Sequence, residues 1–192
     1  YHRVFGGRID MELSPRGHEQ ARTLATFLRR RPIDVIYASP MRRGQPTLAP
    51  FAGHCPKTAG TRGEFWEGGF GDWTGLTWEQ VHSRYRVSAF DWLDKIERAE
   101  IENAETGQSF RARVEPALRQ LVRDHAGQSV AVVCHGGVIN AYLSAVLGIE
   151  RLMFFMPDYT CVNRVRASGT GVRSLVSLNE TAHLRFMNGR RC

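Results

Sequence analysis

The chain carries almost no lysine: Lys57 and Lys95 are the only two, so its formal net charge of +7 rests on arginine. Those arginines are scattered rather than striped along one element. That argues against a nucleic-acid surface and suits a positive field that draws in small anions. Cys55, Cys134, Cys161 and Cys192 show no C-x-x-C spacing, and no paired histidines accompany them. A zinc site or a disulfide framework is therefore unsupported, and a reducing, cytoplasmic setting is the default. G-x-x-x-x-G-K-[ST], H-E-x-x-H and G-x-S-x-G are all missing, which sets aside the P-loop, the zinc-protease helix and the nucleophile elbow. The longest apolar stretch, residues 129–148, is interrupted by His135, a glycine pair and Asn140, so no membrane span is expected. Signal-peptide and lipidation motifs are not seen either. No internal repeat or interdomain linker divides the chain. Its 192 residues, 42% hydrophobic and 23% charged, suit one α/β domain with a substantial core.

What is present centres on Ser129 to Gly148. Val130, Val132 and Val133 read as a buried strand. His135, Gly136 and Gly137 follow, and then Val138, Ala141, Tyr142 and Ala145 recur at helical spacing. A strand end that meets a helix N-terminus is where α/β sheets bind ligands, and the free N–H groups favour an anion. The glycines would let the backbone approach that anion beside an imidazole. A lone histidine after a strand is more often structural than catalytic, so the rest of the chain has to decide.

Ser14-Pro15 starts a helix whose stripe is Ala21, Leu24, Ala25 and Leu28. Ile33–Ala38 is a strand, and Ser39-Pro40 is expected to cap a second helix through Met41, Arg42, Arg43 and Thr47, made irregular by Pro46. Residues 53–76 hold many glycines and read as one long functional loop. Thr77-Trp78-Glu79-Gln80 is a capping box opening a stripe of Trp78, Val81 and Tyr85, continued by Phe90, Trp92, Leu93 and Ile96. Ser109 is expected to cap the helix of Phe110, Val114, Leu118, Leu121 and Val122. Val162–Ala167 and Val172–Leu178 flank Ser168-Gly169-Thr170-Gly171 as a β-hairpin. Arginine would have to stand six residues after Cys134 for a cysteine-phosphatase loop; Asn140 does, so Cys134 reads as a core residue.

Five pieces occur in order: GRIDMELSPRGHEQA (7–21), YASPMRRGQPT (37–47), EGGFGDWTGLTWEQ (67–80), ETGQSF (105–110) and VVCHGG (132–137). Together they resemble the histidine phosphatase superfamily, the phosphoglycerate mutase-like family, over nearly the whole chain. The resemblance implies one domain, 1–192, a three-layer α/β sandwich with a mixed, mostly parallel sheet flanked by helices. Residues 63–110 would form a partial cover over the site. It implies that His135 binds and stabilises the transferred phosphoryl group and that Arg43 clamps its oxygens. Glu67 would protonate the leaving alcohol, and Arg8 and Gly136 would contact phosphate. Arg42 and Glu64 are the rivals of Arg43 and Glu67. Gln108-Ser109 stands where the family often has Glu-Ser.

The family's nucleophile is the histidine of an R-H-G motif ending the first strand, and no R-H-G occurs here. The position of GGRID and the opening on Tyr1 lead to the expectation that this strand and motif lie upstream of Tyr1. The implied activity is a metal-independent phosphomonoester phosphatase working through phosphohistidine, with no cofactor. A phosphoglycerate mutase and a non-catalytic phospholigand binder are the alternatives. The implied partner is a small phosphorylated substrate, with no nucleic acid, no membrane and a homodimer left open. The acidic run Asp91, Asp94, Glu97, Glu100, Glu102 and Glu105 is expected to repel a second phosphate, favouring the phosphatase over the mutase. Phe65, Trp66, Phe70, Trp73 and Trp78 are expected to offer apolar surface to the leaving group, with some of them in the core.

Overall fold

Alternation along a single strand sets up the layers. The computed structural model describes residues 4–53, 57–88 and 91–188. Phe90, Cys55 and Cys192 lie outside them. Strand β1 (Val35–Ala38) is buried at every position. Val35 and Tyr37 face one way, onto Val114, Leu118 and Leu121 of α5 (Gly107–Asp124) and Val138 and Ala141 of α6 (Gly136–Leu147). Ile36 and Ala38 face the other way, onto Ala25 of α1 (Pro15–Leu28) and Leu48 and Phe51 of α2 (Gly44–Ala52). Helices on both faces of a parallel sheet make the three-layer α/β domain.

β1 pairs in parallel with β2 (Lys57–Thr61) on one edge and β3 (Val130–Val133) on the other. β4 (Val162–Ala167) and β5 (Arg173–Glu180) form a separate antiparallel pair. The parallel and antiparallel parts are thus two sheets among the described residues. β3, although it reads VAVV, is only half-buried along its length, and no described strand pairs with its second edge.

The cover over the sheet end has a core of its own. α3 (Trp78–Tyr85) and α4 (Asp91–Glu97) follow two short 3₁₀ turns, and Trp73, Val81, Val87 and Ile101 are buried between them. Phe5 sits in the middle, with its ring 5.2 Å from Phe70, 5.5 Å from Trp73 and 5.7 Å from Trp92. Phe65 and Trp73 are fully buried. Phe65, Phe70, Trp73 and Trp78 therefore serve as packing, as was expected of some of these aromatics, while Trp66 is half-buried outside these clusters.

Several local expectations hold. Ser14 accepts from Gly17 N at α1, and the Thr77/Gln80 capping box is complete. Others shift. The stretch read as one loop contains β2, whose sequence KTAGT offers one apolar side chain and no hydrophobic alternation. Thr106, not Ser109, caps α5, accepting from Ser109 N at 3.1 Å. α2 begins at Gly44 rather than after Ser39, leaving Pro46 in the first turn, where its missing N–H is harmless. No helix of the described residues is long and apolar enough to cross a membrane.

Candidate active site

Parallel pairing brings two loops to one place. Ala38 of β1 lies opposite Val133 of β3, and Ser39 N donates to Val133 O at 2.8 Å. The loops leaving these strands must then run side by side at the carboxyl edge of the sheet. Ser39 and His135 meet there, with His135 Nε2 2.7 Å from Ser39 Oγ. His135 is the N-cap residue of α6, in extended conformation, so its imidazole hangs beside the helix N-terminus.

Arg43 comes from the turn before α2, whose close packing depends on a glycine. A Cβ on Gly44 would lie 2.6 Å from Ser39 O, which no real side chain tolerates. Arg43 Nη1 and Nη2 donate to Ile9 O (2.9 Å) and Gly7 O (3.0 Å), and its Nε donates to His135 Nδ1 at 3.3 Å. A guanidinium can only donate, so Nδ1 is the acceptor and the imidazole proton belongs on Nε2, where it is donated to Ser39. Burial first, then the positive Arg43 and Arg113, hold the His135 pKa down to about 3. His135 is thus a neutral imidazole in one fixed tautomer. Burial also lowers the Arg43 pKa, opposed by Glu67, Asp10 and Tyr159; an arginine stays charged regardless. Arg42, its neighbour, points away to pair with Glu12.

Glu67 approaches α6 from the cover. Its Oε2 accepts from Gly137 N at 3.0 Å and its Oε1 from Gly68 N at 2.8 Å. The carboxylate thus lies on a free N–H of the first helical turn, the position that suits an anion. Burial raises the Glu67 pKa, while the Gly137 and Gly68 N–H bonds and then Arg43 and Arg113 pull it down. Gly137 must be glycine for this approach: a Cβ there would stand 2.3 Å from Glu67 Oε1 and 3.0 Å from Phe110 Cζ.

The loop bearing Glu67 is held by Arg113, a residue that the sequence reading passed over. Arg113 donates to Glu64 O (2.7 Å), Trp66 O (2.8 Å) and Glu67 O (3.3 Å), and grips Glu105 with Nε and Nη2 (2.7 and 2.8 Å). Its guanidinium also lies 4.4 Å above the Phe110 ring. All its donors are engaged, which fixes the loop as a unit. Ser39 is the second residue missed, having been read as a helix cap.

The structure therefore brings together His135, Arg43 and Glu67, with Gly136 at the first position of α6. Arg8 borders this group: it donates to Glu67 O (3.2 Å) and pairs with Glu105 (3.0 Å). Glu64 is exposed and supplies only its carbonyl to Arg113. Cys134 is pushed up to about 12, by burial and then by Glu67, so its thiol is inert. Most of the acidic run is paired with basic side chains. Glu105 binds Arg8 and Arg113, Glu97 pairs with Arg111, Asp94 with Arg151, and Glu100 with Lys95. Four of its six acids are thus held by cations, which leaves the run much less charge with which to repel a second phosphate.

The chain is similar over most of its length to known proteins. Phosphoserine phosphatase 1 of Hydrogenobacter thermophilus is 30% identical over 186 residues, 94% of this chain and 86% of that protein. The adenosylcobalamin/alpha-ribazole phosphatase of Escherichia coli (strain K12) is 26% identical over 190 residues, 97% and 88% respectively. The solved structure of Bacillus stearothermophilus YhfR superposes with a TM-score of 0.83 at 22% identity, covering 95% of this chain and 92% of that one. The profile of the histidine phosphatase superfamily (branch 1) matches residues 1–181, and the chain belongs to that superfamily.

Proposed function

We propose that this phosphatase hydrolyses small phosphomonoesters through a phosphohistidine intermediate, with arginine and a helix N-terminus supplying the positive charge. One observation carries the reading: Arg43, His135 and Glu67 meet at the first turn of α6, where a carboxylate already rests on a free N–H. A phosphoryl group beside it would meet the remaining N–H groups of Arg43, the His135 ring and the Gly136 amide. Phosphoryl transfer asks mainly for such positioning and charge stabilisation.

The nucleophile in this reading is the histidine of the family's R-H-G motif, on a strand along the open edge of β3. Two features support that strand: β3 is apolar yet half-buried, and among the described residues no strand joins the parallel and antiparallel sheets. The nucleophilic imidazole nitrogen bonds to phosphorus as the ester P–O bond breaks. Glu67, its pKa raised by burial, gives its proton to the departing alcohol oxygen. Water then attacks phosphorus, the P–N bond breaks, and Glu67 takes the proton of that water. Arg8 and Arg113 keep the Glu67 loop in register.

The test is turnover of a panel of phosphomonoesters with release of inorganic phosphate, in wild type and Glu67→Gln. The substitution should slow alkyl phosphates far more than 4-nitrophenyl phosphate, whose leaving group needs no proton. Equal losses on both would remove Glu67 from the acid role. Conversion of 3-phosphoglycerate to 2-phosphoglycerate with little free phosphate would make the protein a mutase instead.

A further inference from the structure

Phe70, Trp73, Trp78 and Trp92 pack inward around Phe5, and a further source of apolar surface stands beside the site. It is the segment joining α6 to β4. That segment is bound along the N-terminal half of α6 by Asn140, a fully buried residue. Asn140 Nδ2 donates to Phe155 O (3.0 Å) and to Gly136 O (2.9 Å), and its Oδ1 accepts from Phe154 N (3.0 Å) and Phe155 N (3.2 Å). All the capacity of one buried amide thus ties the segment to the helix that begins at the site. Pro157 follows and rests on the first residue of α6: a Cβ at Gly136 would lie 3.7 Å from Pro157 Cγ.

After Pro157 the chain makes a tight turn closed by Cys161 N to Asp158 O at 3.2 Å. Thr160 in this turn has a φ of 56°, a left-handed conformation that a β-branched residue adopts only under constraint. The constraint is visible. Asn179 of β5 bonds Asp158 twice, at 2.9 Å each, and His183 Nε2 lies 3.2 Å from Thr160 Oγ1. This strained, doubly tied turn carries Tyr159, 54% exposed, two residues after the proline that rests on Gly136; Met156, 67% exposed, stands just before Pro157. Scattered apolar residues on a surface need no explanation. Two of them on a segment anchored at the mouth of a site, one on a strained turn, do.

The geometry points to Met156 and Tyr159 as the platform for the leaving-group half of the substrate, and hence to phosphomonoesters whose alcohol carries a flat apolar group, such as aryl phosphates. This rests on the phosphatase reading above. A tyrosine ring gives a planar surface that loses little freedom on binding, and a thioether adapts to whatever outline lies against it.

The experiment uses ligands that need no turnover. Calorimetry compares phenylphosphonate with methylphosphonate on wild type, Tyr159→Ala, Tyr159→Phe and Met156→Ser. Wild type should prefer the phenyl compound by about ten-fold, the scale of one aromatic contact. Tyr159→Ala should bring the ratio close to one while leaving methylphosphonate affinity in place. Tyr159→Phe should keep the preference, and Met156→Ser should reduce it partly. Both ligands binding with an unaltered ratio in Tyr159→Ala would overturn the inference. Loss of both ligands in that variant would make Tyr159 a structural residue and overturn it as well. Failure of wild type to bind either phosphonate would instead remove the phosphoryl site itself, and the proposed function with it.

Discussion

Gly136 and Gly137 are adjacent, both helical and both beside the site, yet alanine should be tolerated at one and not at the other. At Gly137 the new Cβ would stand 2.3 Å from Glu67 Oε1, 3.2 Å from Glu67 Cδ and 3.0 Å from Phe110 Cζ. Phe110 is buried beneath the Arg113 guanidinium and has little room to withdraw. Glu67 must therefore leave Gly137 N, which removes a hydrogen bond to a carboxylate worth about 1.5–3 kcal/mol. Residual overpacking against Phe110 adds about 1 kcal/mol or more. Gly137→Ala should thus destabilise by about 2–4 kcal/mol, a large part of the ~5–15 kcal/mol of a typical domain. At Gly136 the Cβ meets Pro157 at 3.7 and 3.8 Å and Glu67 Oε2 at 4.0 Å, ordinary contacts. Alanine there costs no space and gains helix propensity, by up to about 1 kcal/mol. Urea unfolding of the two variants at neutral pH reads the difference directly. Kinetics add a second reading, because displacing Glu67 should hurt an alkyl phosphate more than 4-nitrophenyl phosphate. A Gly137→Ala protein with the unfolding midpoint of wild type, or a pair of variants that behave alike, would refute the close approach of Glu67 to the helix.

Other perturbations follow from the same contacts. His135 is held neutral with its pKa down at about 3, below the ordinary 6.5. The unfolded chain therefore binds the extra proton first, and stability should fall as pH drops from about 6.5 to 3, by up to ~1.4 kcal/mol per pH unit. Urea melts at stepped pH check this, and His135→Gln should flatten that window; an identical slope in the variant would refute it. Ser39→Ala leaves the buried His135 Nε2–H without its acceptor and should cost about 1–3 kcal/mol; no loss in a thermal melt would refute the assigned tautomer. Arg113→Lys keeps the charge but loses the fork that spans Glu105 and three carbonyls. It should slow alkyl phosphates more than aryl ones, measured as phosphate release, because Glu67 loses its register; equal slowing would refute the link.

How much of this was legible depended on whether the deciding interaction was local. α1 was readable because Ser14 and Pro15 act on their own helix, and α3 because Thr77 and Gln80 satisfy each other three residues apart. α6 and the strand before it were readable from apolar spacing alone. β2 was not, since KTAGT is held by backbone pairing to β1 rather than by an apolar face. Ser39 misled because a hydroxyl before proline looks like a cap, whereas its actual partner is the His135 ring. Ser109 misled because Thr106 stands three residues earlier, and only the extended backbone at Thr106 shows where the helix begins.

At the site, residue order alone could not separate Arg43 from Arg42 or Glu67 from Glu64. The fold separates them by direction: Arg42 turns out to Glu12, while Arg43 turns in to the Gly7 and Ile9 carbonyls and to His135. Arg113 was invisible for a different reason. Nothing in its helical neighbourhood sets it apart from Arg111, Arg119 or Arg123, and all five of its acceptor atoms belong to the loop residues Glu64, Trp66, Glu67 and to Glu105 just before the helix. The acidic run was hard to read on the same ground. Lys95 and Arg98 are the bases within it, whereas the partners Arg8, Arg111, Arg113 and Arg151 are remote or on another element. A run of like charge in a sequence says what must be neutralised or solvated, and only the packing of elements says which. Here the packing turns Glu105 from a supposed repeller of phosphate into the anchor of the two arginines that hold the Glu67 loop in place.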